Sequence, residues 1–460
     1  MIFSVALVST MGVIHISLVL ILTLFKGIAL MVHQVRKCFH AVGNGTLFTG
    51  QIYDKNSGDM FNWMYDCGST SKKTVLSTIA DLPNWFGPRN VIDMLVISHF
   101  DNDHVNGLEA MLQNYHVRRL VLPFTEWQQS IREISVMGPK GISPSVALLQ
   151  INPSKWLELN KVIDKVGEIL LVQGDGGPEE TDSSPDNPED DSPKWKEQSA
   201  FDPESDTLDE DTPPLPEGNQ EFPSDKAAAD NVFFELRNQA ATATIKVAKI
   251  HQSQAVYSAN NSFEFMFYNA ERPFSALGLV YESGGEMYAK VSKMRMSEVK
   301  DDIEATIISL GLHQKINNLP VNWRQTLKDS YEMHFGSTGE AKNNISLCMY
   351  AAPLTKRRAL GTLFTGDINL TSDVIEDMKT HFGQHRWLSL IGVQVPHHGS
   401  QHCWAADNAT RFDLDKVCFI QCATPTKYHP HDVVTKDLKK YGCTVCSASR
   451  TSPARAYYCY

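Results

Sequence analysis

The chain has 460 residues, of which 42% are hydrophobic and 21% charged, and this composition predicts a globular protein with an adequate core. Nine scattered cysteines exclude a small, disulfide-dense secreted scaffold and favour a reducing compartment. The net charge of -11 does not exclude an anionic substrate. Eighteen acidic residues and two lysines between Asp175 and Asp225 give that segment a charge of -16 and leave the rest of the chain mildly basic at +5.

An apolar segment occupies residues 1–31 and is long enough to span a bilayer, although two polar residues interrupt it. Two interpretations stay open. As a transmembrane helix, the segment would anchor a cytoplasmic body, because Arg36 and Lys37 follow it closely. As the product of a mis-assigned start, it would not belong to the native protein, which would begin at Met31. A cleaved signal peptide is disfavoured, because the segment lacks a positive first region and a small-residue cleavage site.

Residues 32–174 predict a series of strands and helices. RKCFHAVGNGTLFTGQIY is typical of two strands around a glycine turn, and FNWMYDCGS is typical of a strand that ends in Asp66. VIDMLVIS predicts a fully buried strand, NGLEAMLQNY a helix and RRLVLPF a further strand. This order indicates an α/β protein in which helices pack against a sheet.

Residues 175–230 have a different composition. Pro, Glu, Asp and Ser dominate, eight prolines fall between positions 178 and 216, and the apolar periodicity disappears. Such a segment cannot bury enough surface to offset the entropy lost on ordering. The sequence therefore predicts a long disordered acidic insert, which we expect to act as a solvated linker.

Residues 231–460 return to the earlier pattern. SFEFMFYNA predicts a strand, KDDIEATIISLGLHQKI a helix, and NNISLCMYAA with RALGTLFTGDI a hairpin of buried strands. LIGVQVPHHGS and DKVCFIQCAT predict two more apolar strands. The pair Cys443 and Cys446 with Cys418 and Cys422 leaves structural thiols or a second metal site open, and the apolar strand around Cys418 favours thiols.

Five of the predicted strands end in residues that can ligate a metal. They are Asp66, the loop that starts at His99, Asp367, the pair His397 and His398, and His429. Loops at the carboxyl ends of strands commonly carry the chemistry of α/β folds, because the sheet holds them rigidly. We therefore expect these side chains to converge.

The loop HFDNDH presents His99, Asp101, Asp103 and His104 within six positions. Without a positive partner, carboxylates crowded in this way raise one another's pKa values. Imidazole and carboxylate ligands together suit divalent ions such as Zn, Mn or Fe. The loop therefore predicts a metal site, which Asp367 and the following histidine pair would extend to two ions.

These motifs together resemble the metallo-β-lactamase superfamily, and within it the hydrolase domain of competence-type DNA-internalisation proteins. Asp66 in YDCGS matches the first motif of the superfamily. HFDNDH matches its HxHxDH motif with Asp101 in place of the second His, as in the competence-type branch. NISLCMY, LFTGDI, VPHHGS and YHP follow in the order of that branch. The resemblance covers residues 38–174 and 262–446.

The chain departs from that branch in three ways. It has no polytopic membrane domain and so is not a DNA channel. The histidine of the superfamily's third motif is not evident before TGD. Asn343 or Asn344 lies where the competence-type branch has an asparagine. His313 and His334 stay possible but have no supporting motif. The YGHP motif has also lost its glycine, which leaves YHP around His429.

The resemblance implies an αββα metallo-β-lactamase sandwich whose two halves are residues 32–174 and 231–460, with two divalent ions, Zn or Mn, as cofactors. The implied ligands are His99 and Asp101 for one ion, Asp103, His104 and His398 for the other, His397 beside them, and Asp367 as the bridge. Aspartate in place of histidine adds a hard oxygen ligand and shifts the preference toward Mn. Asp103 and His429 are the residues implied for catalysis, and His429 would contact phosphate or protonate the leaving oxygen.

The function implied is hydrolysis by a metal-bound hydroxide, and we favour a phosphodiesterase that acts on nucleic acid. One alternative is an ester, lactone or lactam hydrolase of the same fold, because the fold does not decide the substrate. Another is a partner-binding protein with a degenerate site, which the nearly complete ligand set disfavours. The sequence lacks a long basic stripe with interleaved aromatic residues, so nucleic-acid binding is an expectation from the resemblance alone.

Overall fold

The protein is described here by a computed structural model that covers residues 33–87, 89–136, 142–176, 220–236, 245–258, 261–314, 319–337, 346–354, 360–424 and 429–460. Strands and helices alternate through these ranges, so the α/β class predicted from the sequence is confirmed. The predicted N-terminal segment and residues 177–219 of the predicted insert lie outside the described residues. In the described ranges, no helix has both the length and the apolar character needed to cross a membrane.

The strands of the described chain form two large sheets and one small one. In chain order they are β1 His33–Phe39, β2 Leu47–Asp54, β3 Met60–Cys67, β4 Val91–Val96, β5 His116–Pro123, β6 Val166–Gln173, β7 Lys246–His251, β8 Val256–Tyr257, β9 Phe263–Tyr268, β10 Val280–Ser283, β11 Glu286–Ala289, β12 Cys348–Pro353, β13 Gly361–Phe364, β14 Leu390–Gln394, β15 Cys418–Cys422, β16 Thr444–Ala448 and β17 Ala454–Cys459. The first sheet has the order β17-β1-β2-β3-β4-β5-β6-β7, and the second has the order β16-β15-β14-β13-β12-β9-β8. β10 and β11 form a separate hairpin.

Helices connect and flank these strands. The α-helices are α1 Lys72–Asp81, α2 Pro83–Phe86, α3 Asn102–Val105, α4 Leu108–Asn114, α5 Trp127–Val136, α6 Pro144–Ile151, α7 Pro153–Leu159, α8 Lys226–Val232, α9 Met296–Ser309, α10 Trp323–Phe335, α11 Ser372–Phe382, α12 Gln384–Leu388 and α13 Asp432–Lys440. Short 3₁₀ turns cover Ile163–Lys165, Phe274–Leu277, Pro396–Gly399 and Asn408–Arg411. Several helices begin where the sequence provides a cap, as in α11, where the Thr371 side chain accepts a hydrogen bond from the backbone of Val374.

The core consists of three clusters of buried apolar side chains. One combines residues of the first sheet with helices such as α5, α6 and α10, and another combines residues of the second sheet with α11 and α13. The third contains side chains from both sheets, among them Trp63 and Tyr65 of β3 and Phe364 of β13. The rings of Phe48 and Phe364 lie 4.6 Å apart in an edge-to-face contact between the two sheets.

Parallel pairing brings the polar strand ends together. Strands β3 to β7 run parallel in the first sheet, and β13 to β16 run parallel in the second. Their carboxyl ends therefore lie along one edge of each sheet. These two edges carry the five polar strand ends predicted from the sequence, two on the first sheet and three on the second. The hairpin predicted around TGD is also present, since β12 and β13 pair antiparallel.

The part of the predicted insert that the structure describes is ordered at its carboxyl end. Phe222 is buried, Ser224 bridges to Ala248 of β7, and α8 begins after Asp225, whose side chain caps it. These contacts fall within residues 220–230, which the sequence-based boundary assigns to the insert. The overall composition of the insert is acidic and rich in proline, so it gave no sign of the short segment in which Phe222 and one face of α8 are buried.

Candidate metal centre

The loop that carries HFDNDH follows β4, an internal strand of the first sheet. β4 is apolar and buried on both faces, as parallel strands usually are. The chain leaves β4 at Ser98 and starts the one-turn helix α3 at Asn102, with Asp101 in an extended conformation just before it. This tight path places His99, Asp101 and Asp103 along one edge of the sheet.

His104 is fixed by a carboxylate at the end of the neighbouring strand. Its Nδ1 lies 2.7 Å from Oδ2 of Asp66, and both residues are fully buried. A carboxylate accepts hydrogen bonds, so Nδ1 of His104 donates and its Nε2 lone pair points away from Asp66. Asp66 also accepts bonds of 2.7 Å from the backbone N–H and the hydroxyl of Ser98.

His99 is oriented in the same sense by two serines. Its Nδ1 lies 2.9 Å from Oγ of Ser98 and 3.2 Å from Oγ of Ser346. The Ser98 hydroxyl already donates to Asp66, so it accepts from His99 and leaves the His99 Nε2 lone pair free. That Nε2 lies 3.6 Å from Oδ2 of Asp367, the residue that follows the β13 strand.

Asp367 lies at the middle of the cluster. Its Oδ1 is 3.1 Å from Nε2 of His104, and its Oδ2 is 3.6 Å from Nε2 of both His99 and His397. Its backbone N–H donates to the Ser346 hydroxyl over 2.8 Å. One carboxylate therefore faces three imidazoles from two different sheets.

His398 and Asp103 form the other end of the cluster. Nδ1 of His398 donates to the carbonyl oxygen of Cys422 over 2.8 Å, and its Nε2 lies 3.2 Å from Oδ2 of Asp103. His99, His104 and His398 thus share one pattern, in which Nδ1 donates to the protein and Nε2 faces the centre. This is the tautomer in which histidine ligates a metal through Nε2.

Two overlapping sets of side chains in the described chain have the spacing of a metal site. The ligand atoms of His99, His104 and Asp367 lie within 4.8 Å of one another, as do those of Asp103, His104 and His398. In the first set, Nε2 of both histidines and Oδ1 of Asp367 are buried, and their contacts are with one another: His104 Nε2 lies 3.1 Å from Asp367 Oδ1, and His99 Nε2 lies 3.6 Å from Asp367 Oδ2. Buried imidazole nitrogens that converge on one carboxylate fit a divalent cation between them.

The remaining predicted residues surround these two sets. Oδ2 of Asp101 is 3.8 Å from Nε2 of His99, and the ring of His429 lies 5.7 Å from that of His397. Neither Asp101 nor His397 belongs to a set with the 4.8 Å spacing, so both stand at the margin of the centre. The His429 ring also lies 6.3 Å from that of His398, so His429 lies next to the centre.

The electrostatics of the cluster favour positive charge at its middle. Burial disfavours charge on His104, but Asp367 and Asp66 outweigh this effect and raise the pKa of His104 well above its ordinary value. Burial likewise opposes ionisation of Asp367, yet the neighbouring imidazoles hold its pKa well below the usual range. Burial raises the pKa of Asp101 to about 6. In the metal-free protein, a proton on His104 offsets the negative charges of Asp66 and Asp367. A bound cation would offset the same charges.

His429 has a different character. Burial, followed by the charges of the neighbouring histidines, lowers the pKa of His429 to about 4. The imidazole is therefore neutral near pH 7 and accepts or donates a hydrogen bond without carrying charge.

The backbone at the centre adopts conformations that ordinary residues avoid. His397 and His398 have φ values of 45° and 54°, in the left-handed region, and Asp66 has a φ of 55°. Such positions cost on the order of 1–3 kcal/mol each and persist only where the surrounding structure requires them. Gly68 is needed for close approach, because a Cβ there would lie 2.4 Å from the carbonyl oxygen of Asp103.

Sequence reasoning missed the serines that orient the ligands. Ser98 and Ser346 hold His99, although 247 residues separate Ser346 from His99, and no sequence pattern marks that contact. His334 lies elsewhere, with its two ring nitrogens 3.0 Å from Ser292 and from Asp302. His313 belongs to neither metal-competent set. Asn343 and Asn344 lie outside the described residues.

No cysteine belongs to the two ligand sets, although Sγ of Cys403 lies 3.3 Å from Nδ1 of His397 and the Cys422 carbonyl accepts from His398. All nine are free thiols, and Sγ of Cys418 lies 2.7 Å from Sγ of Cys446 on the neighbouring strand. Across the ranges that the structure covers, no cysteine belongs to a group spaced to hold a metal ion. This arrangement favours structural thiols over a second metal site.

Neither the protein-family models nor the curated proteins compared with this chain match it.

Proposed function

We propose that this protein is a metal-dependent phosphodiesterase, with an αββα sandwich of the metallo-β-lactamase type. The proposal rests on one observation above all, the convergence of buried ligand atoms of His99, His104 and Asp367 within 4.8 Å of one another. The core cluster shared by both sheets, between two clusters that include helices, supports the sandwich. The strand-end motifs support the superfamily.

The cluster contains enough candidate ligand side chains for two divalent ions, Zn or Mn. His104 offers a single ligand atom, because its Nδ1 is bonded to Asp66, so with two ions bound it serves only one of them. His99 and Asp101 would then hold one ion and Asp103, His104 and His398 the other, with Asp367 available to both. His397 completes the first group from 3.6 Å away from Asp367. When bound, such ions activate water for attack and stabilise the charge that develops on a phosphoryl group.

The protein's own residues position these groups. Asp66, Ser98 and the Cys422 carbonyl hold the imidazoles with their lone pairs inward, which lowers the reorganisation required on binding. His429 stands beside the centre as a neutral donor or acceptor for a phosphate oxygen. It becomes a proton donor when the negative charge of a bound phosphodiester raises its pKa.

Metal content and substrate class test this proposal together. We expect the purified protein to bind about two Zn or Mn ions per chain by elemental analysis. It should hydrolyse bis(p-nitrophenyl) phosphate and DNA faster than a chromogenic lactam, a lactone or a carboxylic ester. Absence of bound metal, or efficient lactam turnover without phosphodiester cleavage, would contradict the proposal.

A pair of aspartate variants separates the centre from the fold. Asp367→Asn removes the central carboxylate and should lower phosphodiester turnover by at least about 100-fold, with loss of bound metal. Asp377→Asn is the matched control, because Asp377 lies on α11, where it accepts a 2.6 Å bond from Tyr268, and belongs to neither ligand set. Near-normal turnover in Asp367→Asn would remove Asp367 from the site.

A further inference from the structure

Two cysteines face each other at the edge of the second sheet. Cys418 begins β15, whereas Cys422, whose carbonyl accepts from His398, ends that strand. Cys446 lies on β16, the outermost strand of the sheet, which pairs parallel with β15. The register places Cys418 opposite Thr444, two residues before Cys446, so both cysteine side chains project from the same face. Their sulfur atoms lie 2.7 Å apart.

A small movement brings these sulfurs to bonding distance. A disulfide requires two sulfurs about 2.05 Å apart on side chains that point toward each other. The sulfurs of Cys418 and Cys446 therefore have to approach by less than about 1 Å. β16 is an edge strand, and four of its five side chains, at residues 444–447, are exposed. It can shift this far without displacing core side chains.

The two thiols differ in their chemistry. Burial, and then the contact with Cys446, raise the pKa of Cys418 to about 12, so this thiol keeps its proton near pH 7. It donates that proton in a hydrogen bond to the sulfur of Cys446, which is exposed to solvent. A hydrogen bond to a sulfur stabilises its thiolate, and the thiolate is the form that reacts with oxidants. Cys446 is therefore the nucleophile of the pair, and Cys418 is the thiol that resolves it.

Most of the other cysteines are protected by burial. Five are buried, and burial raises the pKa of each of these thiols; they are Cys38, Cys67, Cys348, Cys403 and Cys422. Buried thiols with raised pKa values are inert. Cys443 is half-buried, and burial raises its pKa as well, although it lies only three residues before Cys446. Cys443 is therefore a matched control for Cys446.

We propose that Cys446 and Cys418 form a reversible disulfide when the protein meets hydrogen peroxide. The Cys446 thiolate attacks one peroxide oxygen, the O–O bond breaks, and the sulfur becomes a sulfenic acid, while the other oxygen takes a proton and leaves as water. The Cys418 sulfur then attacks the Cys446 sulfur and the S–O bond breaks. The proton of Cys418 leaves with the hydroxyl group as a second water. Two thiols and one peroxide thus give one disulfide and two waters.

The bridge fixes an exposed edge strand. It ties β16 to β15 and closes a loop of the chain that contains His429 and α13, which restricts the unfolded chain. Disulfides of intracellular proteins are usually transient, and exchange with a dithiol returns them to thiols. The inference stands apart from the proposed hydrolase activity, because no ligand of the metal centre takes part in the reaction.

Peptide mass analysis of the full chain tests the bridge. The reduced protein is treated with a severalfold excess of hydrogen peroxide, alkylated without reductant and digested with trypsin. We expect a linked pair of peptides, residues 417–427 and 441–450, lighter by two hydrogen atoms than their sum and separated again by dithiothreitol. Fragmentation should place the bond between Cys418 and Cys446. Absence of this pair, or a bond to Cys443, would overturn the inference whether or not the protein is a hydrolase.

Variants separate the roles of the thiols. Cys446→Ser should form no link, and Cys443→Ser should form it as the wild type does. In Cys418→Ser the sulfenic acid on Cys446 lacks its resolving thiol, so it should accumulate and react with dimedone. Oxidation should raise the melting temperature of wild type and Cys443→Ser but not of Cys446→Ser. None of the three side chains is fully buried, so the variants should fold. Dimedone labelling of Cys443 in place of Cys446 would refute the assignment.

Discussion

Asp66 acts on the proposed metal centre through His104 and belongs to neither ligand set. Its carboxylate lies 2.7 Å from Nδ1 of His104 and accepts two bonds from Ser98, so it fixes the tautomer and the direction of the ring. A ligand held in this way binds more tightly than one that has to rotate into place. The YDCGS motif marked the residue, but only the structure shows that it orients the His104 ring.

At this scale we expect Asp66→Asn to lower Zn or Mn affinity by about 10–100-fold, because the amide cannot accept from His104 as a charged carboxylate does. Competition with a chromogenic chelator measures this affinity. Asp93→Asn is the control, because Asp93 is also buried but pairs with Arg89 and Arg118, away from the centre. Equal affinity in wild type and Asp66→Asn would show that the His104 ring is held by other contacts.

At the scale of elements, the sequence predicted the strands and the hairpin of β12 and β13, but not the contacts between distant segments. The apolar runs of β4, β13 and β14 and the polar residues at their ends were all evident, because buried parallel strands are continuous in hydrophobicity. The contact between α5 and the segment after β9 was not evident. Glu133 and Glu271 are far apart in the chain, and neither lies in a motif, so only tertiary packing brings their carboxylates together.

That packing predicts a pH dependence of stability. Glu133 has its pKa raised to about 8, and Glu271 has its pKa raised well above the ordinary value, mainly by burial. Between about pH 4.5 and 8 the folded chain therefore binds more protons than the unfolded chain, so this pair makes the free energy of unfolding fall as pH rises. Urea denaturation at pH 5 and 8 should show a smaller fall for Glu133→Gln than for wild type. Parallel pH profiles would contradict this.

At the scale of the whole molecule, the shared core of the two sheets contains one lysine. Lys37 on β1 is 4% exposed, and its Nζ donates to Oγ1 of Thr362 on β13 over 2.9 Å. Burial lowers the pKa of Lys37 to about 7. The lysine follows the apolar N-terminal segment in sequence, where it suggested a membrane flank, but its side chain points between the two sheets.

We expect Lys37→Met to raise the free energy of unfolding at pH 7 by on the order of 1–4 kcal/mol, because it replaces a buried amine with an apolar chain of similar length. From pH 7 to 10 the unfolded wild type binds more protons than the folded form, so wild-type stability rises with pH and the variant lacks this rise. Chemical denaturation at both pH values measures the difference. The exposed Lys436→Met serves as control. A destabilised Lys37→Met would show that the bond to Thr362 outweighs the cost of burying the amine.

The order of the strands along the chain also determines which apolar side chains stay exposed while the chain is being synthesised. Strands β1 to β7 of the first sheet are synthesised before any strand of the second, so Phe48, Trp63 and Tyr65 emerge without the side chains that later cover them. The first sheet also receives its edge strand β17 last, since β1 pairs with it across more than 400 residues. The nascent chain thus exposes an aggregation-prone aromatic surface for much of its synthesis. Its yield in a cell should depend on chaperones that shield this surface until β9, β12 and β13 are made.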